Sequence, residues 1–439
     1  MQSTNARRGV ITVGQGPRRH RRARRIAIAA AVVFLMLAAA LHWRNALAVR
    51  GSDLSRSVIG ADNTVRIEAI YFRLNDRFKR LKYSIFGGGT GNPISPAAQR
   101  HTAASAAAST SAAPRHASAA AAAGAAGAAA APTAALPDAA PAPIAPIYPH
   151  TLSQGEGTWT TIQLAGGLRT PYTTQHPIYT TFIRPDPQRP YATVTLAEFS
   201  AASISLHPVA GTSEPGVSTG ISGTGAIPSS VLDSGALLAA FNGGFRWQDG
   251  HYGMIVDGKT VAPMADGLAT LATYRDGSFR IGTWGKDLGP SPDLVSARQN
   301  AILLIDHGAI SSKIDAGGHT WGFIWYTSRN FFTTRSAIGV TADGRFVFAG
   351  GYETNARTLA TALRQAGVQT AMQLDVNKPY TQMALYEAPH SYIQGFNLTD
   401  WMHQSPDGFF AGRARDFVYM TIRGQTQAAP TASPRGTAP

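Results

Sequence analysis

The 439-residue chain contains no cysteine. This absence excludes disulfide bonds, thiolate metal ligands and a cysteine nucleophile, although it assigns no cellular compartment. The histidines lack the repeated spacing of zinc ligands, so we expect no metal site and no cofactor. No Gly-Lys-Ser/Thr phosphate loop, Rossmann fingerprint or Gly-x-Ser-x-Gly turn stands in a suitable context, so nucleotide-binding and serine-hydrolase classes have no support.

The larger part of the chain also lacks net charge, although the whole carries +14. Residues 1–147 hold 19 Lys/Arg and 5 Asp/Glu, whereas residues 148–439 hold 20 of each. The basic charge is therefore an N-terminal property. No basic stripe with interleaved aromatic residues occurs in the neutral part, so we expect no nucleic-acid partner.

The N-terminal segment predicts a membrane anchor. The arginine cluster Arg18–Arg25 precedes an apolar run, Ile26–Leu41, which continues into a tryptophan. By the positive-inside rule, we expect residues 1–25 in the cytoplasm, a transmembrane signal anchor at 26–43, and the remainder outside the cytoplasmic membrane. Ala46-Leu47-Ala48 offers an alternative, since it resembles a signal-peptide cleavage site.

Two further segments precede the globular part. Residues 50–89 are predicted to be helical, with Asp62–Tyr83 as the helix and a glycine triplet ending it. Basic residues alternate with apolar ones there, so this helix either lies against anionic headgroups or docks on the main domain. Residues 90–147 are rich in Ala and Pro and are predicted to be a disordered linker between the bilayer and that domain.

Residues 148–424 have the composition of one large domain, and 425–439 are predicted to be a disordered tail. We expect an α+β or mixed α/β fold with a mixed, mostly antiparallel β-sheet and a few helices. One helix is predicted after Asn355, between two strands, which favours a partly parallel sheet. The predicted strands are Thr158–Leu164, Ile178–Ile183, Ala192–Phe199, Ala236–Phe241, Leu268–Tyr274, Ser278–Gly282, Ala301–Ile305, Ser336–Thr341, Arg345–Gly350, Thr370–Leu374 and Phe417–Ile422.

Three polar groups stand at the ends of apolar strands. Asn242-Gly243-Gly244-Phe245 follows a buried run, and its glycines allow positive φ and an anion-binding nest of amides. Arg335 opens the strand Ser336–Thr341, and a buried arginine calls for an anion such as phosphate or a structural carboxylate. Asp375 closes a strand, where a carboxylate serves as base, stabiliser of an oxocarbenium ion, metal ligand, or helix or turn cap. Strand ends of this kind predict that the three groups share one pocket.

In this order the motifs resemble the phosphodiester glycosidase family, which carries Asn-Gly-Gly-Phe, Arg-[Ser/Thr]-Ala-Ile-Gly with a following Asp-Gly, and a strand ending Leu-Asp. The resemblance implies hydrolysis of a sugar-phosphodiester glycosidic bond in an envelope glycan or glycoconjugate. It implies that Arg335 and the amides of Gly243 and Gly244 hold phosphate, that Asn242 orients the sugar, and that Asp375 faces the anomeric centre.

The chain departs from the family pattern after Asp375, where Val376-Asn377-Lys378 replaces a glycine-rich loop. Asn377 and Lys378 are candidate replacement donors, and Glu353 is a candidate second carboxylate. His251, His319, Trp321 and Trp325 are candidates for a sugar subsite, with core packing as the alternative for each tryptophan. Because a fold does not prove chemistry, the alternative function is a glycan-binding or scaffolding protein of the envelope with a degenerate site. The sequence does not indicate an oligomeric state.

Overall fold

The computed structural model describes residues 61–86, 91–103, 140–148, 150–151, 153–164, 177–216, 219–317, 320–322, 331–388 and 392–423. The basic N-terminus, the expected anchor at 26–43, most of the linker and the C-terminal tail lie outside these residues. So do His319 and Trp325. Within the described part, no helix combines the length and the apolar character that crossing a membrane requires.

The described residues form four α-helices and nineteen strands, numbered here in chain order. The helices are α1 (Ala61–Phe86), α2 (Pro96–Arg100), α3 (Ser229–Ser234) and α4 (Ala356–Gln365). The first ten strands are β1 (Thr102–Ala103), β2 (Thr160–Ile162), β3 (Ile178–Ile183), β4 (Thr193–Ser200), β5 (Ile204–Val209), β6 (Leu237–Asn242), β7 (Met254–Val256), β8 (Lys259–Ala262), β9 (Ala269–Tyr274) and β10 (Phe279–Thr283). The remaining strands are β11 (Leu294–Gln299), β12 (Leu303–Asp306), β13 (Ala309–Ile310), β14 (Thr333–Thr341), β15 (Arg345–Thr354), β16 (Val368–Val376), β17 (Met383–Glu387), β18 (Gln394–Asn397) and β19 (Phe417–Ile422).

The strands form three sheets. The largest has nine strands in the order β1-β2-β3-β4-β15-β14-β16-β12-β13, and two five-stranded sheets have the orders β10-β9-β11-β7-β8 and β18-β17-β6-β19-β5. Mostly antiparallel sheets with few helices were expected, and this part of the fold prediction is confirmed. The expected parallel pairing does not occur among the described strands: α4 connects β15 to β16, but β14 lies between them and pairs antiparallel with both.

Both faces of the nine-stranded sheet are covered. One face packs against the sheet that contains β6, with Ile338 and Phe348 in the same apolar cluster as Phe241. The other face packs against α4, where Ala337 and Leu359 share a second cluster. Since side chains alternate along a strand, neighbouring residues of β14 enter different clusters. This alternation decides which side chains of β14 can meet.

Helix α4 follows the sequence prediction closely. The Asn355 side chain accepts a hydrogen bond from the Thr358 amide at 2.8 Å, which caps the first turn. Leu359 and Leu363 lie four residues apart on the buried face. The helix packs on the middle of the large sheet. The ends of β14 and β16, together with the end of β6 in the neighbouring sheet, form the candidate site.

The described parts of the predicted linker pack against the domain. Ile94 and Ala98 are buried in the first apolar cluster, and Ser95 caps α2 by accepting from the Ala98 amide at 3.0 Å. Strand β1 extends the edge of the large sheet through its pairing with β2. The globular part therefore begins before residue 148. A few apolar side chains pack into the core, and a two-residue strand covers one sheet edge.

Candidate active site

The turn after β6 is built around a buried ion pair. Gly243 donates its amide to the Asp416 carbonyl at 3.0 Å, and the Gly244 amide donates to the Asp416 carboxylate at 3.0 Å. The Phe245 amide donates to the Asn300 side-chain oxygen at 3.0 Å. The amides of Gly243 and Gly244, which were predicted to hold phosphate, and the neighbouring amide of Phe245 are thus all bonded to acceptors of the chain itself.

The glycines are needed for close approach rather than for positive φ. Neither Gly243 nor Gly244 adopts positive φ. A Cβ on Gly243 would lie 2.0 Å from a carboxylate oxygen of Asp416, and a Cβ on Gly244 would lie 2.9 Å from the Arg298 guanidinium carbon. The turn therefore admits only hydrogen at these positions, because the ion pair occupies the space of a side chain.

Arg298 completes this arrangement and was not predicted from the sequence. Its Nε and one terminal nitrogen donate to the Asp416 carboxylate at 2.7 and 2.9 Å. The same guanidinium also donates to the Phe245 carbonyl at 2.7 Å and to the Gln299 carbonyl at 2.7 Å. The pair is almost fully buried and its donors are used, so it fixes the turn instead of binding a ligand.

Asn242 is held by Ser336 of β14 and by Gln382, the residue before β17. Its side-chain oxygen accepts from the Ser336 hydroxyl at 3.1 Å and from the Gln382 amide at 3.0 Å. Its side-chain nitrogen donates to the Gly243 carbonyl at 3.1 Å. Ser336 also donates to the Asp375 carbonyl at 3.1 Å, so the structure joins Asn242 to Asp375 through one hydroxyl. These two predicted residues lie together.

Asp375 is a buried carboxyl at the end of β16. Its Oδ1 accepts from the Val376 amide at 2.8 Å and its Oδ2 accepts from Arg415. Burial raises the pKa of Asp375 to about 6, although Arg415 and the Val376 amide oppose this rise. The carboxylates of Asp416 and Asp249 raise the pKa further. A carboxyl with this pKa changes charge close to neutral pH, as general acids and bases do.

Arg415 is the second residue that the sequence analysis missed. Burial lowers the pKa of Arg415, but the carboxylates of Asp375 and Asp416 outweigh it and the pKa is raised. Its guanidinium lies 4.6 Å from the centre of the Tyr380 ring, and its Nε is buried without a hydrogen-bond partner among the described residues. The run Arg413-Ala-Arg415-Asp416 before the last strand was the available signal, since charged residues at a buried strand start are rare unless paired.

A second ion pair borders this cluster. Arg246 donates to both oxygens of Asp249 at 3.0 Å, and both side chains keep part of their surface exposed. Burial lowers the pKa of Arg246, but Asp249 outweighs it and the pKa is raised; Arg415 and Tyr380 also act on this group. We call Asp375, Arg415, Tyr380, Arg246 and Asp249 the carboxylate–guanidinium cluster. It places two cations beside one ionisable carboxyl.

Arg335 lies on the other face of the large sheet. It precedes Ser336 in β14, so the two side chains point in opposite directions. Its guanidinium donates to the carbonyls of Trp321 at 2.9 Å and Thr354 at 3.2 Å, and to the Gln373 side chain at 3.0 Å. Burial lowers the pKa of Arg335 to about 9. The expectation that Arg335 shares a pocket with Asn242 and Asp375 is wrong, because strand alternation separates it from them.

Glu353 also belongs to a different group. Its carboxylate accepts from Lys79 of α1, and its backbone has φ 56°. Its charge raises the pKa of Tyr191, for which burial is the largest cause, and Tyr191 is bonded to Asp76 of the same helix. The structure places Glu353 at the contact with α1 and gives no hydrogen bond between it and the cluster.

The loop that replaces the family's glycines forms a turn. Asn377, with φ 76°, donates its amide to the Thr334 carbonyl at 2.9 Å, and its carbonyl accepts from the Tyr380 amide at 3.0 Å. This turn brings the Tyr380 ring over Arg415. The Lys378 amino group lies 5.7 Å from the centre of the Tyr352 ring. Asn377 thus shapes the loop beside Asp375, whereas the Lys378 amino group lies over the Tyr352 ring.

The two described candidates for a sugar subsite have other contacts. Trp321 is buried, and its indole donates to the Lys313 carbonyl at 3.0 Å. His251 packs edge-on against Trp247, with ring centres 4.9 Å apart. Core packing accounts for Trp321, and the described geometry of His251 does not join it to Asp375.

Residues 235–375 match the family model described as phosphodiester glycosidase. The match covers the turn after β6, the strand of Arg335 and the strand end at Asp375. Residues 235–375 are therefore similar to phosphodiester glycosidases. The resemblance predicted from the motifs is thereby confirmed, and the match is to a family of hydrolases. Arg415 and Asp416 lie beyond the matched residues.

Distant similarity to solved structures accompanies this match. The catalytic domain of zebrafish N-acetylglucosamine-1-phosphodiester alpha-N-acetylglucosaminidase, auto-inhibited by its pro-peptide, is 16% identical with a TM-score of 0.37, over 61% of this chain and 88% of that one. A hypothetical protein from Synechocystis is 12% identical with a TM-score of 0.30, over 60% and 62% of the two chains. A putative exported protein from Burkholderia pseudomallei K96243 is 12% identical with a TM-score of 0.26, over 58% and 75%. No curated protein matches the chain.

Proposed function

We propose that the protein is a membrane-anchored, extracytoplasmic hydrolase that cleaves the bond between the anomeric carbon of a sugar and a phosphodiester. The substrate class is an envelope glycan or glycoconjugate. The observation that carries the proposal is the Asp375 carboxyl, which is buried, bonded to Arg415 and has its pKa raised to about 6. It lies at the strand end that closes the match to the phosphodiester glycosidase family.

The proposed chemistry uses Asp375 as a base. At pH 7 a carboxyl with a pKa near 6 is mostly ionised, so Asp375 takes a proton from water while the water oxygen bonds to the anomeric carbon. The bond from that carbon to the phosphate oxygen breaks, and its electrons stay with the phosphate, which leaves as a monoester. The carboxylate also stabilises positive charge that develops on the sugar ring. A phosphate leaving group requires little help from a general acid.

Arg415 is proposed to hold the phosphate. Its Nε has no hydrogen-bond partner in the part of the chain that the structure describes, and a guanidinium fork matches phosphate geometry. Arg246 adds a second, half-exposed cation beside it. This assignment replaces the expected role of Arg335 and of the Gly243 and Gly244 amides, whose donors bond to groups of the chain itself. Asn242 is proposed to support the Asp375 backbone through Ser336, because its oxygen already accepts two hydrogen bonds.

A second candidate function is glycan binding without turnover. Two observations favour it: Asp375 is paired with Arg415, and the Gly244 amide is bonded to Asp416. In both cases a group that could contact substrate instead contacts another residue of the chain. In this alternative the cluster binds a phosphate-bearing glycan through Arg415 and Arg246, and Asp375 serves only to orient Arg415.

The deciding experiment offers the purified full chain a sugar-1-phosphodiester and measures both the released sugar and the phosphate monoester. Turnover that is lost in Asp375→Asn and retained in Asp306→Asn supports the hydrolase, because Asp306 is a half-exposed carboxylate paired with Lys286 on another part of the domain. Saturable binding by the wild-type chain without product release supports the binding protein. Equal turnover in the wild type and Asp375→Asn would contradict the proposed role of Asp375.

The proposed location rests on the N-terminal sequence. The arginine cluster before Ile26 and the apolar run after it favour a single-pass anchor with the N-terminus in the cytoplasm. A reporter that functions only outside the cytoplasm, fused after Arg423, is expected to be active. Activity of a cytoplasm-specific reporter at the same position would contradict this orientation.

A further inference from the structure

Helix α1 docks on the domain through one polar face. Asp76 is buried and accepts from both ends of the Arg189 guanidinium, at 2.7 and 2.9 Å. The Tyr191 hydroxyl donates to Asp76 at 2.9 Å, and the Tyr83 ring stacks on the Tyr191 ring with centres 4.9 Å apart. Residues 76 and 83 are two turns apart, so these contacts fix how the helix is rotated about its axis.

The opposite face of α1 is apolar and exposed. Leu74, Phe78, Leu81 and Ile85 are 59%, 67%, 57% and 63% exposed, respectively. Their spacing of four, three and four residues puts them in one stripe along the helix. We call these four residues the apolar stripe. Single exposed leucines are common on protein surfaces, but a row of four large exposed apolar side chains is not. The stripe therefore marks an interaction surface.

Basic side chains border the apolar stripe. Arg77 and Lys82 are exposed and lie on its two sides by helical geometry. The only acidic residue between positions 74 and 86 is Asp76, which is bonded to Arg189 on the docked face. In this helix the apolar stripe lies between cations, and the acidic residue lies on the opposite face. This pattern is typical of a helix that lies in the surface of an anionic bilayer.

A second copy of the chain fits this surface less well. In a paired helix the stripe would form the seam, and Arg77 of one copy would lie beside Lys82 of the other. These like charges would repel each other, whereas anionic headgroups attract both. The sequence also has an apolar run, Ile26–Leu41, that ends 19 residues before α1 begins. Those residues span at most about 65 Å when extended, so membrane insertion of the run would keep α1 within reach of the surface.

We infer that the apolar stripe of α1 inserts into the headgroup region of an anionic lipid surface, with Arg77 and Lys82 on the headgroups. The docked face then holds the catalytic domain against the membrane through Asp76 and Arg189. The inference concerns where the domain sits and does not depend on whether it catalyses hydrolysis.

The absence of cysteine permits a direct test on the full chain. Phe78→Cys and Leu81→Cys each provide one site for an environment-sensitive fluorophore, and Lys259→Cys provides a control on an exposed hairpin strand of the domain. Each labelled chain is reconstituted with vesicles of phosphatidylcholine, with or without phosphatidylglycerol, that carry a nitroxide quencher on the acyl chains. Circular dichroism checks that each variant keeps its fold.

We expect labels at positions 78 and 81 to shift to shorter wavelength and to be strongly quenched on anionic vesicles, while the label at 259 stays unquenched. Arg77→Gln with Lys82→Gln in the Phe78→Cys chain should weaken insertion by about fivefold per charge removed. Equal quenching at 78 and 259 would overturn the inference. So would quenching that is independent of phosphatidylglycerol, or a spectral shift that needs no lipid and grows with protein concentration, which would identify a second copy as the partner.

Discussion

Asp375 and Arg415 form a hydrogen-bonded ion pair, although 40 positions separate them in the chain. Asp375 is the last residue but one of β16 in the nine-stranded sheet, and Arg415 lies two residues before β19 in the sheet that contains β6. The pair therefore lies where the ends of two sheets meet, and burial leaves the carboxyl with a pKa of about 6. The proposed base and the proposed phosphate-binding cation are thus adjacent before any substrate arrives.

The pH dependence of hydrolysis should report Asp375. Because its pKa is raised to about 6, kcat/KM should rise with pH through an inflection near pH 6 as the carboxyl loses its proton. Asp375→Asn should remove the inflection and lower kcat by about a hundredfold or more, the usual contribution of a general base. Steady-state rates of both proteins between pH 4.5 and pH 8 check this. An unchanged profile in Asp375→Asn would assign the inflection to another group.

Arg415→Gln should move that inflection upward. The guanidinium favours the ionised form of Asp375, so its removal raises the carboxyl's pKa and shifts the profile to higher pH. KM for a phosphodiester should also increase, because one charge-assisted contact is lost. The matched control is Arg357→Gln, which removes an exposed arginine paired with Asp315. A shift of equal size in the control would contradict a specific role for Arg415.

Arg335→Met should act on stability and leave catalysis nearly intact. The guanidinium satisfies the carbonyls of Trp321 and Thr354 and the Gln373 side chain in a buried site, so its removal leaves acceptors without donors. We expect a loss of about 2–4 kcal/mol in the free energy of unfolding, measured with urea. At temperatures where the variant remains folded, kcat/KM should stay within a few-fold of the wild type. A large loss of activity in fully folded protein would restore Arg335 to the catalytic set.

Glu198 should make the protein less stable as pH rises. Its carboxylate is buried, neither oxygen has a hydrogen-bond partner within the described ranges, and Arg345 approaches only to 3.9 Å. Burial raises the pKa of Glu198 to about 8, above its ordinary value of 4.5. The folded state therefore binds this proton more tightly than the unfolded state does. The resulting contribution to the free energy of unfolding is complete below pH 4.5 and is lost as pH rises through 8.

Melting temperatures of the wild type and Glu198→Gln between pH 4.5 and pH 8.5 test this. The difference should grow in favour of the glutamine variant as pH rises, since glutamine carries no charge to bury. Asp276→Asn, at an exposed hairpin turn, is the matched control for a lost carboxylate. A difference that stays constant over this range would show that Glu198 does not titrate there.

A chain that begins at residue 148 should be less stable than one that begins at residue 91. The difference, residues 91–147, includes Ile94, Ala98 and Ile144, which pack in the core, and the strand β1, which covers a sheet edge. At about 25 cal/mol per Å² of apolar surface, the loss of these three side chains costs on the order of 4–6 kcal/mol. Thermal unfolding of the two truncated chains measures it. Identical melting temperatures would support residue 148 as the start of the domain, as the sequence predicts.

Local patterns were sufficient for many elements. The apolar run Ile178–Ile183 and the final strand Phe417–Ile422 occur with the predicted bounds, and the Asn355 cap begins α4 as expected. Strands β11 and β17 were missed, because each carries polar residues such as Arg298 and Glu387 whose burial depends on partners elsewhere in the chain. Propensity and periodicity report the chain's own preference and contain no information on such partners.

By itself, the sequence determined the mostly antiparallel class, the helix after Asn355, the family motifs and the neighbouring strand ends of Asn242 and Asp375. Only the tertiary structure decided which motif residues meet. Arg335 and Ser336 are consecutive, yet alternation along β14 sends one side chain toward Trp321 and Gln373 and the other toward Asn242. The pairing of Asp375 with Arg415, and of the Gly243–Gly244 turn with Asp416, depends on where β19 lies beside β6. Such long-range pairing follows from how the sheets pack, and no local pattern encodes it.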